Sequence, residues 1–449
     1  MKKLYILILL LPAICFKANS QQAWTLQECI DYAIVHNLEV QRREVLQKQQ
    51  EVDLSTAKNS RLPNLNANGT QILDFGRNLN DKIAYIDPVT QSLNFIDNDT
   101  RTTIFSINTE IPLFTGFQIT HNIALKKLDL KAAIEELNQA KDDISIHVTS
   151  AFLQVLFSEE IHKVALEQVN ISKEQYNRIN RLHEIGKLPI SSVYEAKARV
   201  AHDELSATQA GNNKELALLA LTQTLELSSP KEFRIKGPEE LPDLDLNNPE
   251  DIFNQAVLTR PGVLSAQYRY ESAGKSIALA QSGYYPKLAL VAGMGTGYYK
   301  ISDIPADKFS TQLDKNFSQS VRITLSIPIF NRFETRNQVR SAKLQQYNQS
   351  IFLEERKKSL YKEIQQSYYN AIAAHSKYKA SGTAVEAHEE AFRSVRERYG
   401  NGKATSVEYN ESKLNLMRAT SEQIQAKYEY IFRIKILNFY KGIPLASQK

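Results

Sequence analysis

Four segments of this chain alternate apolar and polar residues, and that period of two predicts strands. From Val321 to Ile329, the side chains of Val321, Ile323, Leu325, Ile327 and Ile329 share one face, while Arg322, Thr324 and Ser326 share the other. From Thr103 to Leu113, Phe105, Ile107 and Ile111 oppose Ser106, Asn108 and Glu110. Leu65–Phe75 and Lys287–Tyr299 alternate more weakly and contain glycine. Four strands cannot close a barrel, so they are completed by further copies of the chain or fold into a small sandwich. Pro112 and Pro328 fall where a strand gives way to a helix, a place where a missing ladder donor does no harm.

Between the strands the pattern turns helical. Phe117 to Ile185 is a run of 69 residues with neither Gly nor Pro, rich in Ala, Leu, Ile, Glu, Lys and Gln. All are compatible with a helix, whose length would be on the order of 100 Å. Phe333 to Tyr399 holds a single Gly382 and no Pro. Leu137, Ile144 and Ala151, with Val148 and Val155, recur at heptad spacing, which predicts coiled-coil packing. Returning helices are expected at about 190–227 and 405–441, half as long. An opening helix of about 33 residues starts at the capping box Thr25–Glu28 and runs to just before Pro63. Its counterpart starts at Asn248-Pro249 and runs to just before Pro286.

These elements occur twice. Ala33 and Ala256, Val40 and Val263, Ala57 and Ala280, Pro63 and Pro286, and Leu65 and Leu288 match at an offset of 223. Ile111-Pro-Leu-Phe114 then matches Ile327-Pro-Ile-Phe330 at an offset of 216, which continues through Gly186 and Gly402, Lys187 and Lys403, Glu195 and Glu411, and Lys197 and Lys413. Two constant offsets over both halves mark an internal duplication. The expected organisation is a leader at 1–20, a first repeat at 21–227, a linker at 228–247, a second repeat at 248–441 and a tail at 442–449. Polar loops at 76–101 and 300–316 join the paired strands, and Phe114, Phe117, Phe330, Phe333, Tyr284, Tyr285 and Tyr298 gather near strand ends. Aromatics there fit either an interfacial girdle or an ordinary core.

Composition sharpens the picture in three ways. The scarcity of Gly (16) and Pro (14) in 449 residues agrees with long uninterrupted helices. Lys2 and Lys3 precede an apolar run from Leu4 to Phe16, followed by Ala18-Asn-Ser20, which reads as a secretory leader too short to span a membrane. Ile14 is too large to precede a lipidated cysteine at Cys15. Removal of the leader takes three of the 55 basic residues, leaving 52 against 50 acidic, so a nucleic-acid partner has no basic face to use. The mature chain keeps one cysteine, Cys29, read as a buried small apolar residue. No mature segment approaches 18 continuous apolar residues, which excludes a helical membrane protein and leaves a soluble exported protein or an outer-membrane barrel.

Catalytic chemistry is not in view. The eight histidines form no metal-ligand pair, no nucleophile elbow is present, and Gly293-Met-Gly-Thr-Gly297 departs from a phosphate loop and fits a strand in close backbone contact. No cofactor, metal site or enzyme activity is expected. The turns between helices remain. Gly186 and Gly402 fit helix C-caps with positive φ. Glu408 and Glu411, three apart, share a helix face, and acids there also suit a helix N-terminus.

The leader, the duplicated strand-flanked long helices, the Ile-Pro-Leu-Phe junction and the Gly-centred turn together resemble the TolC family of outer-membrane efflux proteins, over essentially the whole mature chain. The resemblance implies a mainly α fold with β. Each protomer of a homotrimer would give four strands to one 12-stranded outer-membrane barrel, continued by a long periplasmic α-helical barrel with the linker in its belt. It implies a passive exit channel of a tripartite efflux or type I secretion system. Drugs, metals, small toxic compounds or secreted proteins would pass, with a periplasmic adaptor and an inner-membrane pump of the RND or ABC type as partners. Glu408 and Glu411 fall on the positions of acidic residues lining the periplasmic constriction, and Tyr399 on a tyrosine that latches it. Ser192 stands where the latch carboxylate is expected and Ala404 where its arginine is, so the resemblance leaves the closing bonds unidentified. Gly186, Lys187, Gly402 and Lys403 are the implied adaptor-facing tip. The competing reading is a secreted helical scaffold or adhesin with a small β domain.

Overall fold

The computed structural model describes residues 23–76, 84–86, 93–95, 99–230, 233–237, 241, 245–302 and 305–446. The leader expected at 1–20, with Cys15, lies outside these residues, as do Pro88, Pro238, Pro242 and Asp303. In chain order come α1 (Leu26–His36), α2 (Leu38–Asn59), β1 (Asn66–Asp74), β2 (Ala84–Ile86), β3 (Leu93–Phe95), β4 (Thr100–Phe114), α3 (Gln118–Glu184) and α4 (Ile190–Thr224). They are followed by α5 (Pro249–Ala256), α6 (Pro261–Gln281), β5 (Lys287–Ile301), α7 (Phe309–Lys315), β6 (Ser318–Ser326), α8 (Glu334–Gly400) and α9 (Ser406–Tyr440). The chain divides into two compact units: residues 45–136 with 262–356, and residues up to 44 with 137–261 and 357 onward.

The first unit holds an antiparallel sheet in the order β1-β4-β5-β6. Register makes its two faces chemically distinct. Ile323, Leu290 and Ile111 lie side by side, with Leu325 beside Leu288. On the opposite face Ser320, Gly293, Asn108 and Asn66 form a polar row across all four strands. A Cβ on Gly293 would meet Asn108 Oδ1 at 2.5 Å, and one on Gly295 or Gly297 would sit 3.0 Å from a β4 carbonyl. These glycines therefore serve strand contact, as their spacing predicts. β6 ends at Ser326, so Pro328 lies beyond the strand, whereas Pro112 pairs with Ala289 just before a register shift. The 300–316 loop contains α7, which the alternation did not predict; Gln312 of α7 bridges Tyr299, accepting from its N–H at 2.9 Å and donating to its carbonyl at 3.0 Å. A short β2–β3 hairpin lies in the 76–101 loop.

The second unit is helical. Its core joins Cys29, Ile30 and Ala33 of α1, Val148, Phe152 and Val155 of α3, Leu221 of α4 and Ile431 of α9. Burial pushes the Cys29 thiol up to about 12, so it stays a neutral apolar residue. Trp24 forms an isolated parallel bridge with Ile235 of the linker and packs edge-on against Phe233 and Tyr32.

The two opening helices differ from expectation: each is broken. The capping box forms as predicted, with Thr25 N–H donating to Glu28 at 2.7 Å. Asn37 then leaves the helix with φ −65° and ψ 131° while its side chain accepts from Glu39 N–H at 3.0 Å. It closes α1 and caps α2, because a short amide side chain competes with the helix ladder. In the second repeat the break precedes Pro261, which cannot supply an N–H to a continuing helix. The long helices agree with expectation within a residue or two.

The duplication is written into the backbone. Left-handed residues recur at the 216 offset: Gly116 and Phe117 against Arg332 and Phe333, Gly186 against Gly402, and Glu226 against Gly442.

The helix turns and the candidate gate

Both long helices end in the same hydrogen-bonded turn. After α3, Lys187 N–H donates to Leu182 O at 2.8 Å and Gly186 N–H to His183 O at 2.8 Å. After α8, Lys403 N–H donates to Arg398 O at 2.8 Å and Gly402 N–H to Tyr399 O at 3.1 Å. These are Schellman closures, and they need a left-handed residue; Gly186 (φ +71°) and Gly402 (φ +70°) supply it. Gly186, Lys187, Gly402 and Lys403 are all exposed there.

The returning helices start differently. α4 follows Pro189, which offers no side-chain cap, and places Ser192 half-buried at the position that α9 fills with Glu408. α9 begins with a second capping box. Thr405 N–H donates to Glu408 Oε2 at 2.7 Å, and Glu408 N–H donates to Thr405 Oγ1 at 3.2 Å. The Thr405 N–H and the Thr405 hydroxyl, which donates to Glu408 Oε2 at 3.2 Å, hold the Glu408 carboxyl below the usual carboxylate range, with Arg398, 3.9 Å away, adding to them. Glu411, one turn on, is exposed. Thr405→Ala is expected to cost about 1 kcal/mol of local helix stability, read as faster amide exchange in the first turn of α9. The sign of the acid response follows. A carboxylate whose folded pKa is depressed adds stability above its ordinary titration range and loses it as pH falls through the depressed value. Acidification should therefore fray the α9 start before the α4 start, which carries no such carboxylate.

A cleft of about 440 Å³ separates the two helix turns. It brings Ser192, Tyr399 and Gly402 together, with Glu195 and Ala404 on its walls. Glu408, Glu411, Gly186, Lys187 and Lys403 are not among its lining residues. The Tyr399 ring stacks on Tyr409 at 4.9 Å, and Tyr409 packs against Phe392 at 5.4 Å. Burial raises the Tyr409 phenol above its usual pKa, so it stays neutral. Arg178 of α3 donates to Gly400 O at 2.9 Å and joins the first hairpin to the second turn. At the base of the cleft Lys413 lies 3.5 Å from Asp203, both buried. Sequence reasoning missed Arg178, Tyr409, Thr405 and Asp203. Only Thr405 had a signal, since Thr405-x-x-Glu408 repeats the Thr25-x-x-Glu28 pattern. Among the described residues no His, Cys, Asp and Glu cluster is arranged to hold a metal ion.

The family profile described as outer membrane efflux protein matches residues 30–225 and 252–433, most of both repeats. The chain belongs to this family. It is an outer-membrane protein, and the secreted scaffold reading falls with that finding. Among curated members of the family's kind, it is 23% identical to the probable outer membrane lipoprotein SilC of Salmonella typhimurium over 50% of this chain and 48% of SilC. It is 22% identical to the outer membrane protein TolC of Escherichia coli over 73% of this chain and 66% of TolC. The matched stretch thus spans about half of SilC and just under two thirds of TolC. The fold matches the outer membrane protein VceC from Vibrio cholerae with a TM-score of 0.75 and 16% identity, covering 94% of this chain and 96% of that one. The family fold is a four-stranded sheet with long paired helices, as described above. No described helix is long and apolar enough to cross a membrane.

Proposed function

We propose that the chain is one third of a passive exit duct through the outer membrane, serving a tripartite efflux or type I secretion system. The observation that carries this reading is the sheet. β1 and β6 are open edges, and the sheet has one apolar and one polar face. Edges of this kind demand pairing. Three copies joined β6 to β1 give 12 strands with the apolar face to lipid and the polar row to the lumen. Exposed apolar residues on helices of the same unit, Val45 and Val52 on α2 and Leu344 and Ile351 on α8, recur seven apart and offer helix-to-helix contacts between copies. The test is fractionation: the protein should sit in outer membranes as an SDS-resistant, heat-modifiable trimer, and a soluble monomer would overturn the reading.

The two repeats, 21–227 and 248–441, supply equivalent helix turns, and the turns form the periplasmic gate. Threefold copies of Glu408 and Glu411 make carboxylate rings that favour cations. Ser192 and Tyr399 sit in the cleft between the turns, and Gly186, Lys187, Gly402 and Lys403 meet a periplasmic adaptor that brings an inner-membrane pump. The duct is expected to perform no catalysis and to hold no cofactor. The double substitution Glu408→Gln/Glu411→Gln is expected to lower cation preference in planar bilayers, measured as a reversal-potential shift across a salt gradient. An unchanged reversal potential would remove both residues from the constriction. The transported class, whether drugs, metals, small toxic compounds or secreted proteins, is read from the sensitivity and secretion profile of a deletion strain.

A further inference from the structure

The cleft between the helix turns ends on a buried charged cluster that the capping and stacking above do not use. Lys413 of α9 is 4% exposed and Asp203 of α4 is 3% exposed. Lys413 Nζ donates to Ser172 Oγ of α3 at 2.9 Å and lies 3.5 Å from Asp203 Oδ2. The Ser172 hydroxyl donates to the Asp203 carboxylate, and Gln168 Nε2 donates to Asp203 Oδ2 at 3.3 Å. Arg199 Nε and His202 Nδ1 approach the other oxygen at 3.6 and 3.7 Å. The cluster therefore ties one helix of the second hairpin to both helices of the first.

The duplication shows that this contact is not a by-product of the fold. At the 216 offset the counterparts of Lys413, Ser172 and Asp203 are Lys197, His388 and Ala419. Lys197 is exposed and Ala419 is buried. The reciprocal site cannot build the contact, although its helices have the same lengths. Buried ion pairs are also a poor way to gain stability. Desolvation of both charges offsets most of their attraction, and apolar pairs of similar volume do as well or better.

What a buried charge pair offers is ease of release. Separating apolar side chains exposes apolar surface, and the cost grows with area. Separating two ions into water restores the hydration each gave up on burial. Lys413 and Ser172 both line the cleft, so a small displacement of α9 brings the pair to solvent. Ser192 and Ala404, in the same cleft, carry no charge for such a contact.

We propose that Lys413, Ser172 and Asp203 form a releasable clasp that holds the α8–α9 hairpin against α3–α4 in the closed duct. The clasp rests on the channel reading and deepens it by assigning a contact, besides that of Arg178 with Gly400, that keeps the two hairpins together. Lys413 acts as a positioning residue and touches no transported compound.

The test is the open fraction of the full-length trimer in planar bilayers, with the melting of the SDS-resistant trimer as the measure of folding. Lys413→Met leaves Asp203 buried without its ammonium and is expected to raise the open fraction about tenfold, equivalent to about 1.4 kcal/mol. Asp203→Asn/Lys413→Met removes both charges, keeps acceptors for Ser172 and Gln168, and is expected to fall below the wild-type open fraction while melting no lower. Opposite directions for the single and double variants are the mark of a clasp; a purely structural contact would move melting and leave gating alone. If Lys413→Met gives no trimer, the double variant still decides the matter. A folded Lys413→Met channel with wild-type gating, or a double variant that opens as often as wild type, overturns the clasp. Wild-type bilayers that carry no current would overturn the channel reading itself.

Discussion

Ile323→Arg is expected to abolish the SDS-resistant trimer in outer membranes, while Thr324→Arg, one residue along β6, leaves it intact. Ile323 is 66% exposed on one chain and continues an apolar row through Leu290 and Ile111. If that row faces lipid, a guanidinium there costs about 2–4 kcal/mol near the bilayer midplane, and the trimer incurs it three times. Thr324 points to the polar face with Arg322 and Ser326, where another cation meets water. The measurement is the yield of heat-modifiable trimer per cell in outer membranes for each variant. Equal tolerance of both would mean that the apolar row does not meet lipid. The reverse pattern would turn the sheet inside out and with it the lumen assignment. A misfolding artefact cannot produce the contrast, because adjacent residues of one edge strand share the same ladder and differ only in face.

The strands, the long helices and the duplication were legible because each rests on local pattern. A run of 69 residues without Gly or Pro has few alternatives to a helix, and α3 fills it from Gln118 to Glu184. Alternation around Ile323 named the residues that share its apolar face before any pairing was known. The break at Asn37 was not legible: asparagine is tolerated inside helices, and only its side-chain bond to Glu39 N–H reveals it as a cap. α7 escaped for a similar reason, being seven residues whose place depends on Gln312 reaching Tyr299. The candidate gate was half legible. Gly186 and Gly402 were readable as left-handed turns, and Tyr399 and Ser192 do share a cleft. The stacking of Tyr399 on Tyr409 was not readable, because nothing local distinguishes one helical tyrosine from the next. Lys413 was the hardest case. By residue type it belongs on a solvated face, and its burial depends on Ser172, 241 residues away in the chain.

The second large effect is expected at Gly116, where β4 turns into α3. Gly116 and Phe117 adopt φ of +62° and +65°, two left-handed residues in succession. A Cβ on Gly116 would come 2.7 Å from Tyr285 Cβ and 2.8 Å from the carbonyl oxygen of Ser282. Those atoms belong to the turn that leads into β5, so they cannot move aside without shifting the strand. Gly116→Val therefore combines left-handed strain of about 1–3 kcal/mol with overpacking of about 1–3 kcal/mol, at the junction that aims a 67-residue helix. The duplicated junction provides the control. Arg332 holds the equivalent left-handed position at φ +55° with its side chain exposed, so strain alone is tolerated there. Arg332→Gly relieves that strain but gives the unfolded chain more freedom, and the two effects cancel to within about 1 kcal/mol. Trimer melting should accordingly collapse for Gly116→Val and scarcely move for Arg332→Gly. If Gly116→Val melts with the wild type, the contact with Ser282 and Tyr285 does not set this junction, and left-handed geometry at both repeats is conformational convenience. If both variants collapse, the second junction carries a side-chain contact of Arg332 that the symmetry of the duplication conceals.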